Sequence, residues 1–146
     1  RERPDADHGP RGRADSLAIW KATSQWSFAA SLDLAGQEEP GGGRAQWGGL
    51  ALYARVAARD SKRAFTLRAE YYDDEDGAIS GTAQTLRDVT ATLELRPLDR
   101  LILKLEGRYD RSTAEAFAGD TLDAAGDAIR DRRDEALLLA GAVVTF

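Results

Sequence analysis

Nine charged side chains fall on one parity of extended segments in the chain: Arg55; Arg68 and Glu70; Glu94 and Arg96; Lys104, Glu106, Arg108 and Asp110. Along an extended chain, alternate side chains leave on opposite faces, so a spacing of two collects these groups on one wall. Fixed charges on one wall can do two kinds of chemistry. They can pair with one another as a salt-bridge network that fills an interior, or they can stay available and set ionic selectivity. Five are basic and four acidic, and this balance favours pairing while leaving selectivity open.

Other candidate groups carry less. "YDDEDG" (Tyr72–Gly77) resembles the start of a calcium loop, but with Gly77 at position six, Tyr72 would stand first and Ala83 would be the closing ligand. A solvated loop is the better reading, with a loose divalent-cation contact left open. His8 is the sole histidine and has no companion ligands, which excludes histidine triads and histidine metal sites. Glu94 and Glu106 could serve as a glycosidase carboxylate pair, yet Arg96 and Lys104 explain them better. "PGGGR" (Pro40–Arg44) lacks the Gly-Lys-Ser/Thr ending and following helix of a phosphate loop, and it reads as a flexible loop tip. No catalytic residue, metal site or cofactor is expected.

Composition narrows the classes further. The chain has 146 residues, no cysteine and no methionine, so thiol chemistry and disulfide frameworks are out. Twenty basic and 25 acidic residues give a net charge of −5 without a basic patch, which argues against nucleic acid as a partner. No apolar run approaches the roughly 20 residues of a membrane-spanning helix. "RERPDADHGPRGRAD" is polar throughout and is no cleavable signal. A chain opening on Arg1 is expected to be processed or part of something longer.

The elements that must position the charges are strands. Period-two segments are expected at Ser16–Thr23, Trp26–Gln37, Gln46–Ala58, Arg63–Tyr72, Arg87–Leu98, Leu101–Arg111 and Glu135–Phe146. Most match or exceed the 9–11 residues or so of a tilted strand crossing a bilayer, against about 5–6 for an ordinary strand. "TSQ", "ARDSK" and "RPLDR" are short connections; "EEPGGGRAQ", "DDEDGAISGTAQTL" and the run from Ser112 to Glu135 are long. Short and long alternate along the chain, as they do in outer-membrane barrels. Ala114–Arg133 could hold a short helical turn. Residues 1–15 read as a polar extracellular leader or loop remnant, and 16–146 as the strand region.

The faces then separate. Phe65, Leu67, Ala69 and Tyr71 oppose Thr66, Arg68, Glu70 and Tyr72; Val89, Ala91, Leu93 and Leu95 oppose Thr90, Thr92, Glu94 and Arg96. On the apolar side, Trp26, Phe28, Phe65 and Phe146 cluster at the short-turn end, and Tyr71 and Tyr109 at the long-loop end. Two aromatic girdles around an aliphatic band are what a lipid-facing surface needs. The competing reading is a soluble antiparallel barrel that binds small molecules, with the apolar rows inside.

The ending "ALLLAGAVVTF", with Phe146 last and Val144, Ala142 and Ala140 alternating, resembles the closing strand of Gram-negative outer-membrane barrels. "LRAEYYDDEDGAISGTAQTLRDVTATLELRPLDRLILKLEGRYDRS" resembles the C-terminal region of the OmpL-like group of β-barrel porins. That group has an E-Y-[FY]-D-D strand end, a G-x-x-x-G-T-x-Q loop, a threonine-rich strand, a P-x-[DN] turn and an L-x-L-K/R-x-E-x-R-x-D strand. The likeness spans Trp26 to Phe146. It implies an outer-membrane, porin-like channel for small hydrophilic solutes, or a closed structural or adhesion barrel. It also implies contact with lipid and lipopolysaccharide, and recognition of the final aromatic by the barrel-insertion machinery. Two features depart from the pattern: Leu137, Leu139 and Val143 make the last strand apolar on its lumen side, and Gly107 stands where an aromatic is usual.

Topology adds an expectation. Counting back from Phe146 through seven reversing strands puts residues 1–15 outside, whereas single-chain bacterial barrels have an even strand number and start in the periplasm. The chain is therefore expected to be the C-terminal part of a larger barrel, closed by further strands or by a second copy.

Overall fold

The computed structural model describes residues 10–39, 42–122 and 126–146. They form β1 (Arg11–Lys21), β2 (Trp26–Glu38), β3 (Arg44–Ala57), β4 (Arg63–Asp74), β5 (Gln84–Leu98), β6 (Leu101–Ser112), β7 (Phe117–Leu122), β8 (Ala128–Arg132) and β9 (Asp134–Val144). Seven of these make one sheet in the order β1-β2-β3-β4-β5-β6-β9, every neighbour antiparallel; β7 and β8 make a separate hairpin. The all-β, up-and-down architecture expected from the alternation is what the chain adopts. Among the described residues the sheet is open, since β1 and β9 each leave one edge without a strand partner.

The seven strands are 11 to 15 residues long. Their short turns are closed locally. The Thr23 hydroxyl accepts the amides of Gln25 and Trp26 at 3.1 and 2.9 Å, reversing the chain into β2. Ser61 holds a left-handed φ of 56° between β3 and β4, where Asp60 accepts the Lys62 amide at 3.0 Å.

Three expectations need correcting. The strand region begins at Arg11 rather than residue 16, because Arg13 and Asp15 already pair in register with Ala35 and Asp33 of β2. Residues 1–9, His8 among them, lie outside the described residues. The described residues of the segment Ala114–Arg133 hold the strands β7 and β8 instead of a helical turn; Gly126, at φ 89°, takes the left-handed conformation that suits a reversal. Finally, the β2–β3 connection shrinks to residues 39–43, no longer than residues 58–62 between β3 and β4, because both flanking strands extend. The long connections that remain are residues 75–83 and the segment carrying the hairpin.

A dry core is absent among the described residues. The only buried apolar side chains there are Ala45, Ala51 and Ala64. A soluble domain is held together by covering its large apolar groups with a second layer. Here Val89 is 50% exposed, Leu52 51% and Leu105 48%, with no layer over them. The consecutive residues Asp88, Val89 and Thr90 are 7%, 50% and 6% exposed, so side-chain parity decides burial, and the polar face is the crowded one.

Candidate functional site: the charged face of the sheet

Register stacks the polar side chains into rows. One row joins Glu70, Asp88, Asp110 and Glu135 across β4, β5, β6 and β9. The next row toward the short turns carries Ala29, Tyr53, Arg68, Thr90, Arg108 and Leu137. Beyond it run Lys21, Ser27, Arg55, Thr66, Thr92 and Glu106. Glu94 pairs with Lys104 in the row after that, and Arg96 follows on the same face of β5. All nine charges picked out by spacing therefore lie on one face. None is left on the apolar side.

Ion pairing divides them into two groups. Near the short turns, the single carboxylate of Glu94 meets three cations: Arg96 at 2.9 Å, Arg55 at 3.4 Å and Lys104 at 4.0 Å. Nearer the long loops, Arg68 pairs with Glu70 and with Asp88 (3.4 Å), while Arg108 meets Asp110 at 2.6 Å and Asp88 at 3.9 Å. Tyr53 accepts from Arg68 at 3.2 Å, and Thr92 donates to Glu106 at 2.6 Å. No buried side-chain nitrogen or oxygen among the described residues lacks a partner. Carboxylates directly opposite one another repel, so Arg68 and Arg108, one row away, are what make the Glu70–Asp88–Asp110 row tolerable.

The opposite face is uncharged between its ends. On β4 it runs from Arg63 to Asp73 through Phe65, Leu67, Ala69 and Tyr71. Ten residue steps at about 3.4 Å, tilted about 40°, give a band about 26 Å tall, matching the roughly 25 Å apolar belt of outer-membrane barrels. Of the aromatics expected to form girdles, Trp26 stacks on Phe28 with ring centres 6.0 Å apart, and Phe65 pairs with Leu93 at the same end. Tyr71 and Tyr109 lie at the other end, with the Arg87 guanidinium 5.7 Å from the Tyr71 ring. Phe146 is fully exposed past the end of β9.

Spacing alone passed over several members of both faces. Trp20 extends the aromatic cluster, stacking on Phe28 at 5.5 Å. Asp88, at the centre of the carboxylate row, shares the parity of Glu94 and was legible by counting back along β5. Lys21, Glu135, Arg13 and Asp15 also belong to the polar face, where Arg13 bridges Asp15 at 2.9 Å and Asp33, which parity already places on that face, at 3.2 Å. Their signal was hidden because β1 begins earlier than its alternation implied, and because Leu17, Ile19, Leu137, Leu139 and Val143 interrupt the polar parity on both outer strands.

The loop after β4 folds against this face. The Asp74 carboxylate, fully buried, accepts the Ser80 hydroxyl at 2.7 Å and the Ser80 and Ile79 amides at 2.8 and 3.2 Å. Asp74 lies past Tyr72, beyond the aliphatic band. Burial works against its ionisation, but the hydrogen bonds from Ser80, Ile79 and Ala78 outweigh it, holding the carboxyl below its ordinary range. Asp76 accepts the Gln46 amide at 2.9 Å. Two of the four acids of the calcium-like motif, Asp74 and Asp76, are thus committed to loop closure, and among the described residues no cluster of acids is arranged to hold a metal. Ile79 and the strand residues Arg68, Glu70, Tyr53 and Asp33 border a recess of about 390 Å³ on the polar face.

A long-stranded antiparallel meander with one crowded ionic face and one open apolar face is the wall pattern of a β-barrel. A family model described as "Putative beta-barrel porin-2, OmpL-like" matches residues 1–146, and the chain belongs to that family. No curated protein and no solved structure is similar enough to the chain to match it.

Proposed function

We propose that the chain supplies wall strands of an outer-membrane channel through which small hydrophilic solutes diffuse passively. The supporting observation is the inverted burial: the aliphatic rows are open and the ionic rows are crowded together. Apolar rows of about bilayer height then meet lipid, lipopolysaccharide covers the outer rim, and the charged face lines the lumen. The same reading gives the exposed Phe146 to the insertion machinery and gives the open edges of β1 and β9 to further antiparallel strands, since unpaired edges are not tolerated in lipid. Planar-bilayer recording from the full-length protein tests it. Stepwise conductance is expected; silent, correctly inserted protein would refute it. Outer-membrane fractionation tests the location.

A closed structural or adhesion barrel is the second reading. It is favoured by the hydrogen bonding of every buried side-chain polar atom among the described residues and by Leu17, Ile19, Leu137 and Leu139 on the inner parity of the outer strands. Silence in the bilayer combined with retained surface binding through the loops would select it.

A further inference from the structure

Balanced in total, the charges are sorted by height. Among the described strand residues of the polar face, the rows nearest the short turns hold Arg96, Lys104, Lys21 and Arg55 against Glu94 and Glu106. The rows next to them hold Arg68 and Arg108 against six carboxylates, Glu70, Asp88, Asp110, Glu135, Asp15 and Asp33. Above these, Arg13 bridges Asp15 and Asp33, and Arg11 and Asp74 offset each other in sign. One zone is net basic and the other net acidic after all local pairing. We propose that this wall polarises the channel along its axis, gathering cations in the long-loop half and anions in the short-turn half, so that ionic current rectifies. This inference rests on the channel reading.

The distance between zones decides whether they act separately. Along β5, Glu94 and Asp88 are six residues apart, about 20 Å at about 3.4 Å per residue. The Debye length is about 10 Å at 0.1 M salt, so each zone presents its own sign instead of cancelling the other. Cations enriched in the acidic half and anions enriched in the basic half both move toward the junction when the long-loop side is positive. That polarity fills the junction with carriers and the reverse empties it.

The test records current–voltage curves and reversal potentials under a salt gradient, using the oriented full-length channel at 0.1 M and 1 M KCl. A cysteine placed at Glu75 and labelled from one chamber reports orientation. The expected result is larger current with the long-loop side positive, the asymmetry fading at 1 M. Glu70→Gln with Glu135→Gln should shift the reversal potential toward anions. Lys21→Gln with Lys104→Gln should shift it toward cations, and both pairs should lower the rectification ratio. The lysines are exposed edge and surface groups, so that pair keeps the test open if the carboxylate pair fails to fold. Equal currents at both polarities, or same-direction shifts from the two pairs, overturn the inference while leaving a channel. Complete silence removes the channel reading and the inference with it.

Discussion

Leu67 offers the sharpest test of which face meets lipid. It lies midway between Arg63 and Asp73 on the uncharged side of β4 and is 43% exposed. Replacing a half-exposed leucine on a water-facing surface by arginine changes stability by no more than about 0.5 kcal/mol in either direction. At the midplane of a bilayer the same arginine costs about 2–4 kcal/mol, falling to about 0–1 near the interface. At 1.4 kcal/mol per decade, Leu67→Arg should thus lower the folded-to-unfolded ratio by roughly 30- to 700-fold. Tyr71→Arg, four residues nearer the rim, should lower it by about fivefold at most. The assay is reversible urea unfolding of the full-length protein in phospholipid vesicles, with the denaturant slope checked for constancy. A cost for Leu67→Arg at or below that for Tyr71→Arg would refute the placement of this face in lipid.

Three further outcomes follow from the contacts. Glu94→Gln leaves Arg55, Arg96 and Lys104 without their shared carboxylate; a stability loss of about 1–3 kcal/mol and a reversal-potential shift toward anions are expected in the same unfolding and bilayer assays. Asp74→Asn weakens the loop clasp and should increase protease cleavage within residues 75–83. Because the folded Asp74 carboxyl sits below its ordinary range, its contribution is whole above the unfolded carboxyl pKa of about 3.9 and disappears as pH falls through the folded value. Acidification should therefore mimic Asp74→Asn in wild-type protein and add little in the variant. Gly77→Ala forces a side chain into φ 64° with its Cβ 2.9 Å from the Ala83 nitrogen, and a rise in cleavage of the same loop is expected.

Much of this was readable in the sequence where alternation is clean. Strands β4, β5 and β6 were placed to within a few residues, and all nine charges and the Trp26, Phe28, Phe65, Tyr71 and Tyr109 rings fell on the faces that parity assigned them. The outer strands were harder. β1 is apolar on both faces around Leu17–Trp20, so period two fades there, and its polar start at Arg11–Asp15 reads locally as a leader until β2 is seen opposite. The β7–β8 hairpin was hidden because short, alanine- and aspartate-rich segments carry no strong period. Sorting of charge by height was invisible for a different reason: it depends on cross-strand register, which places Glu70, Asp88, Asp110 and Glu135 at one level although they are distant in sequence.

The separation of the two faces exists only once the ladder of backbone hydrogen bonds has formed. Over β4, β5 and β6 the extended chain largely alternates aliphatic with polar or charged groups, and the mean hydropathy of the whole chain is −0.46. No stretch of it is greasy enough to lodge in a bilayer as a helix. The same sequence is therefore compatible with water while unfolded and gains a broad apolar surface on folding, when sheet formation turns most of its oily groups to one side.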